Sequence, residues 1–142
     1  MAEECPVSTL KQYAEWSCLI RMVAAIRGAT TVVTNNEQEI LEATAELLEK
    51  MTEQNGITAE DIISIIFSMT KDLDAVFPAV AARRLGFIHT AMMCTNEIDV
   101  PGSLTKCIRV MMHINTEKKN GELKYIYLRD ARSLRPDLED KN

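Results

Sequence analysis

Cys107-Ile108-Arg109-Val110-Met111-Met112 is an apolar run broken once, by a guanidinium. Its composition reads as a buried or half-buried strand. Alternation puts Cys107, Arg109 and Met111 on one face and Ile108, Val110 and Met112 on the other. Arginine cannot shed its proton to escape burial, and it needs many hydrogen-bond partners. In such a strand it either pairs with a protein carboxylate, for which Glu97 at the end of the third strand is a candidate, or meets an anionic ligand. Arg27 in Ala24-Ala25-Ile26-Arg27-Gly28 and Arg135 in Ser133-Leu134-Arg135-Pro136 repeat the arrangement. Together the three suggest a pocket for a small polyanion.

On either side of this run the pattern supplies the rest of a sheet. Met22 to Ala29 reads as a strand. Thr34 with Glu37 forms a capping box, opening a helix to about Asn55 that carries Ile40, Leu41, Ala43, Leu47, Leu48 and Met51 on one face. Gly56 stops it. Thr58 caps a short turn at Ala59-Glu60-Asp61. Ile62 to Met69, rich in β-branched residues, is the strongest strand. A second helix starts near Phe77-Pro78, with proline in its first turn, and ends at Gly86. Phe87 to Met93 reads as a third strand and Asn96 to Gly102 as a loop. The Arg109 strand extends to near Thr116, Asn120-Gly121 marks a turn, and Tyr125 to Leu128 and Ala131 to Leu134 are strand-like, with Tyr125, Tyr127 and Arg129 sharing a face. The resulting order predicts an α+β (α/β-like) domain with a mixed five-stranded sheet and two main helices. Two helices cannot cover both faces of such a sheet, so the apolar strands predict a second face packed on another subunit. Residues 1–21 read as an N-terminal extension, helical through Leu10, Tyr13, Ala14 and Ser17 or else disordered. Residues 22–142 read as one domain with a flexible C-terminal tail.

The bulk numbers fit one globular domain: 142 residues, 46% hydrophobic and 26% charged. A net charge of -5 and an aromatic content of 5% argue against a nucleic-acid partner. No apolar stretch approaches the roughly 18 residues of a membrane span. Met1-Ala2-Glu3-Glu4-Cys5 is acidic rather than basic, unlike a secretion signal, and a cytoplasmic location is expected. Cys5, Cys18, Cys94 and Cys107 show no metal-ligand spacing, and His89 and His113 read as isolated histidines in apolar strands, so neither metal nor disulfide is expected. No phosphate loop, GxGxxG, HExxH or serine-nucleophile motif occurs. The plainer readings remain beside the ligand pocket: Arg109 with Glu97 as a structural ion pair, Cys94 and Cys107 as inert core thiols, and Tyr127 as a packed strand tyrosine.

Five segments carry a resemblance: Ile26-Arg27-Gly28-Ala29-Thr30-Thr31-Val32, Phe77-Pro78-Ala79, Cys94 to Val100, Lys106 to Met112, and Leu134-Arg135-Pro136-Asp137-Leu138. In order and nearly unbroken spacing, from about residue 22 to residue 138, they resemble the monofunctional chorismate mutases of the trimeric AroH class. The resemblance implies a pseudo-α/β-barrel homotrimer with active sites at subunit interfaces, and one catalytic domain over 22–142. It implies the pericyclic conversion of chorismate to prephenate, in the shikimate branch toward phenylalanine and tyrosine, with no cofactor. By the same resemblance Arg109 would donate to the ether oxygen and a carboxylate, and Glu97 would accept from the ring hydroxyl with Cys94 beside it. Arg27 and Tyr127 would bind carboxylates, and Phe77 of a neighbouring subunit would wall the pocket. Arg83 and Arg135 would lie at its mouth, and Leu134 would join the substrate-binding positions. Val80 stands where the family often has lysine, which removes one mouth charge. Residues 1–21 have no counterpart in the short family members. Two other readings keep the interface arginines: a non-catalytic trimer that binds a carboxylate metabolite, and an enamine or imine deaminase-like trimer.

Overall fold

Alternating burial along four strands, and a 3.6-residue apolar stripe along one long helix, organise the chain. A computed structural model describes residues 21–141. The proposed helix around Leu10 to Ser17 lies outside the described residues. The elements are β1 (Met22–Thr31), α1 (Glu37–Asn55), β2 (Ile62–Met69), α2 (Ala79–Arg84), β3 (Ala91–Asn96), β4 (Cys107–Thr116) and β5 (Ile126–Tyr127), with 3-10 turns at Ala59–Asp61, Asn120–Glu122, Arg129–Leu134 and Pro136–Lys141. The five strands form one mixed sheet in the order β3-β2-β4-β1-β5. β4 lies antiparallel to β1 and to β2, while β2–β3 and β1–β5 pair in parallel. This is the α+β arrangement that the element order predicts.

Both helices pack on one face. Ile26, Ile65, Phe67, Val110, Met112 and Ile114 meet Leu47, Leu48 and Met51 of α1 and Ala79 and Ala82 of α2 in one core cluster. All six positions expected on the apolar face of α1 are buried. Gly56 ends that helix at φ 61°, a left-handed conformation that costs glycine nothing. The helix start differs from expectation. Asn36, not Thr34, is the N-cap, and its side chain accepts from the Glu39 amide. Glu39, not Glu37, reaches back to accept from Val33 N, Thr34 N and the Thr34 hydroxyl. The same i, i+3 signature occurs in two overlapping registers, and the one that satisfies more backbone donors wins.

Two strand expectations are also corrected. β3 begins at Ala91, and Phe87 to Thr90 form a turn in which Phe87 is buried under the helix layer while Ile88 and His89 are exposed. His89 is therefore not a strand residue; His113 is, and its Nδ1 lies 3.1 Å from Ser64 Oγ. Ala131 to Leu134 belong to a 3-10 turn, where Ala131 and Leu134 pack onto Ala29 and Cys107. Arg129 turns away from Tyr127 at φ 51°, and its guanidinium donates to Thr31 O and Glu46 Oε2.

Candidate active site

The sheet face away from the helices can be laid out row by row from strand register. One row runs Tyr127, Ala29, Arg109, Ser68, Thr95 across β5, β1, β4, β2 and β3. The next row runs Arg27, Met111, Ile66, Met93. Arg27 and Arg109 thus share this face as diagonal neighbours, and Ala29 separates Arg109 from Tyr127 with almost no bulk. Sequence alternation alone put these side chains on one side of their strands; the register adds that the sides coincide.

Glu97 completes the cluster. Its amide donates to Met69 O at 2.9 Å, which fixes it just past the end of β3. Its Oε1 lies 3.6 Å from Arg109 Nε, and the two side chains are 24% and 30% exposed. That distance is an ion pair without a hydrogen bond. Among the described residues, three buried side-chain polar atoms make no well-aligned hydrogen bond: Thr30 Oγ1 on the helix side of the sheet, and Arg109 Nε and Tyr127 Oη in this row. Buried donors almost always have partners, so two orphans in one cross-strand row mark a place built to receive acceptor atoms. Arg135 lies near Tyr127; its pKa is raised, chiefly by Asp137, which accepts two hydrogen bonds from it, and in small part by the Tyr127 phenol. Leu134 packs beside Tyr127 and Ala29. Burial pushes the Cys107 thiol up, and the Arg109 charge only partly opposes this, so Cys107 is a neutral wall next to the guanidinium.

Three expected site residues lie elsewhere. Cys94 pairs with Phe67 and packs in the helix-side cluster, on the opposite face from Arg109. Phe77, 69% exposed, precedes α2, and Arg83 is exposed in its last turn. Cys94 lies in β3, the edge strand of the sheet, and α2, which carries Arg83, packs near that strand. Val80 is half-buried on the same helix. A cavity of about 920 Å³ near β5 takes Tyr127, Arg132 and Arg135 into its wall, and a smaller one of about 250 Å³ is bordered by Glu97 and Asp72. Neither contains Arg109.

Thr70 and Asp72, between β2 and α2, are residues that no pattern in the sequence analysis singled out. The Asp72 carboxylate accepts from Lys106 N at 2.9 and 3.1 Å and from the Thr70 hydroxyl, and that hydroxyl accepts from Cys107 N at 3.0 Å. The Thr-x-Asp spacing, which lets the two side chains bond to each other, was the available signal.

The comparisons with known proteins agree on one family. The model described as chorismate mutase type I matches residues 23–138. The chain is 47% identical over 118 residues to "Chorismate mutase AroH" of Bacillus subtilis strain 168, covering 82% of this chain and 93% of that protein. It is 45% identical over 119 residues to "Chorismate mutase AroH" of Thermus thermophilus, covering 83% and 98%. A solved chorismate mutase from Clostridium thermocellum superposes with a TM-score of 0.77 at 60% identity, covering 78% of this chain and 98% of that one.

Proposed function

This chain belongs to the type I chorismate mutase family, and we infer from that membership that the Arg109 cluster is where it converts chorismate to prephenate. The protein is an enzyme of the isomerase class. The observation that supports the site is the row holding Arg109 and Tyr127, whose Nε and Oη are buried without a well-aligned hydrogen bond, with Glu97 3.6 Å from the guanidinium.

The chemistry suits this equipment. A [3,3] rearrangement breaks one C–O bond and makes one C–C bond with no proton transfer and no nucleophile. As the ether bond stretches, charge accumulates on its oxygen while the ring becomes partly positive. Arg109 would donate to that oxygen, and Arg27 and Tyr127 would hold the carboxylates in the compact conformer the reaction needs. Glu97 would accept from the ring hydroxyl and face the positive ring. Arg135 and Leu134 would border the bound substrate from the tail. A donor aimed at developing charge contributes about 3 kcal/mol, a factor of roughly 150 in rate.

The site is proposed to be shared between copies in a pseudo-barrel homotrimer. Val23, Met93 and Met111 leave an apolar face open to solvent, 66%, 63% and 37% exposed, which favours a partner there. Within one chain the sheet lies between Cys94 and Arg109, and Phe77 and Arg83 precede or belong to α2, which packs on the helix side of that sheet. Supplied by a neighbouring copy, these three would complete the Arg109 pocket. No described helix is long and apolar enough to cross a membrane, and a cytoplasmic reaction is proposed. The test is the loss of chorismate absorbance. Wild-type protein should turn chorismate over and Arg109→Ala should lose at least about a hundredfold in kcat/KM. Affinity without turnover would favour the binding-protein reading, and ammonia released from an imino acid the deaminase one.

A further inference from the structure

We propose that Asp72 is a positioning residue for the reaction, holding the head of β4 so that Arg109 faces Glu97; this rests on the reading of the Arg109 cluster as the active site.

The bonds converge on one point. Thr70 follows directly on β2; its amide donates to Cys107 O at 3.1 Å, and its hydroxyl accepts from Cys107 N. Asp72 grips the same hydroxyl and takes two bonds from Lys106 N. Lys106 O in turn accepts from Val32 N at 3.0 Å, just beyond β1. Three strand ends are therefore fastened at the residue before β4. That residue is itself strained: Lys106 sits at φ 47°, a left-handed conformation that disfavours a side chain. Such a conformation persists only when its surroundings over-determine it, and here the carboxylate on its N–H does so.

Arg109 is two residues past Cys107 on the face that Lys106 sets. Glu97 is bonded to Met69 O, one residue before Thr70. Both halves of the ion pair are thus referenced to the end of β2. Release Asp72, and Lys106 relaxes toward negative φ, which swings the start of β4 relative to Glu97. A shift of about 1 Å at a catalytic group costs up to a hundredfold in rate.

The experiment compares wild type, Asp72→Ala, Asp72→Asn and the double variant Asp72→Ala/Lys106→Gly, assayed well below each midpoint of unfolding. Asp72→Ala should lower kcat by about tenfold or more with KM nearly unchanged. The double variant should recover much of the loss, because glycine holds φ 47° without a carboxylate. Asp72→Asn, which keeps one acceptor oxygen, should fall between and covers the case in which the alanine variant does not fold. Independently of any substrate, the Arg109 Nε–H resonance, assigned by its loss in Arg109→Lys, should move in Asp72→Asn and return in the rescued double variant. An unmoved resonance with wild-type kcat, whatever happens to thermal stability, overturns the proposal. So does a loss of kcat that glycine at 106 leaves uncorrected. If wild type itself leaves chorismate intact, the active-site reading fails, and the resonance alone still decides whether Asp72 places Arg109.

Discussion

Gly28→Ala tests whether the packing of α1 against β1 is as close as the structure has it. Gly28 lies in β1 beneath α1 and beside β5. A methyl group there would come 2.6 Å from Met51 Sδ, 3.0 Å from Leu47 Cδ1 and 3.1 Å from the Ile126 carbonyl oxygen. Unstrained carbon contacts sit at about 3.5–4.0 Å, so each neighbour must retreat by several tenths of an ångström to more than 1 Å. Met51 is a flexible side chain, but both it and Leu47 have no exposed surface and can move only by displacing others. The Ile126 oxygen is backbone, in a strand two residues long that carries Tyr127. Overpacking of this kind costs about 1–3 kcal/mol. Replacing glycine returns about 0.4–1 kcal/mol by restricting the unfolded chain. With a contact as short as 2.6 Å the overpacking cost falls in the upper half of its range, and the expected net loss is about 1–2.5 kcal/mol. In urea at fixed protomer concentration the midpoint should fall by about 0.5–1 M with an unchanged slope. Turnover should fall as well, because β5 is pushed outward with its tyrosine. A midpoint at or above that of wild type would refute the close approach and the register that produces it.

Three further outcomes follow from named contacts. Glu97→Gln should lower kcat by about tenfold or more while shifting the thermal midpoint by only a few degrees, because a partly exposed ion pair adds little stability; equal kcat in paired kinetic and melting measurements would contradict the role given to Glu97. The Glu39 carboxyl is held below its ordinary value of 4.5, first by the Thr34 hydroxyl and then by the Val33 amide. A depressed folded pKa means stability that is complete above about pH 4.5 and is lost as pH falls through the folded value. Melting curves of Glu39→Gln should therefore lie below wild type at neutral pH and converge with it toward pH 3, and a constant gap would count against the assignment. Asn55, fully buried, donates to Met51 O and Lys124 O and accepts from Lys124 N; Asn55→Ala should cost about 2 kcal/mol or more in chemical denaturation by leaving the Lys124 backbone groups without their partner.

What could be read from the residues divides along physical lines. β2 spans the residues its β-branched composition marks, and β4 runs from Cys107 to Thr116 as expected, because both are long and strongly patterned. β3 slipped because Phe87 and Ile88 are apolar for different reasons, one filling the space under α2 and the other exposed. Its true start is set by parallel pairing of Ala91 with Ser64, a partner no local window contains. Ala131 and Leu134 are apolar because they cover Ala29 and Cys107, and a 3-10 turn does that as well as a strand. The Arg109–Glu97 pair was legible from chemistry alone: a permanent cation in an apolar strand demands a carboxylate or a ligand. The face that Cys94 takes within its own chain follows from strand parity. Cys94 lies an odd number of residues before Glu97, and strand alternation turns it to the far face. The Asp72 clasp is marked in the sequence only by Thr-x-Asp; its backbone partner, the Lys106 amide, lies outside any local window.

The order β3-β2-β4-β1-β5 also governs how the molecule comes into being during translation. β1 pairs only with β4 and β5, and the one antiparallel neighbour of β2 is again β4. Ribosomes release β1, α1, β2, α2 and β3 before the strand that joins them exists. Until Cys107 to Thr116 clear the exit tunnel, the earlier segments can form a helix and a parallel pair but no continuous sheet, and their greasy faces stay unclaimed. The strand that carries Arg109 is thus also the last large piece needed before the nascent polypeptide can close on itself.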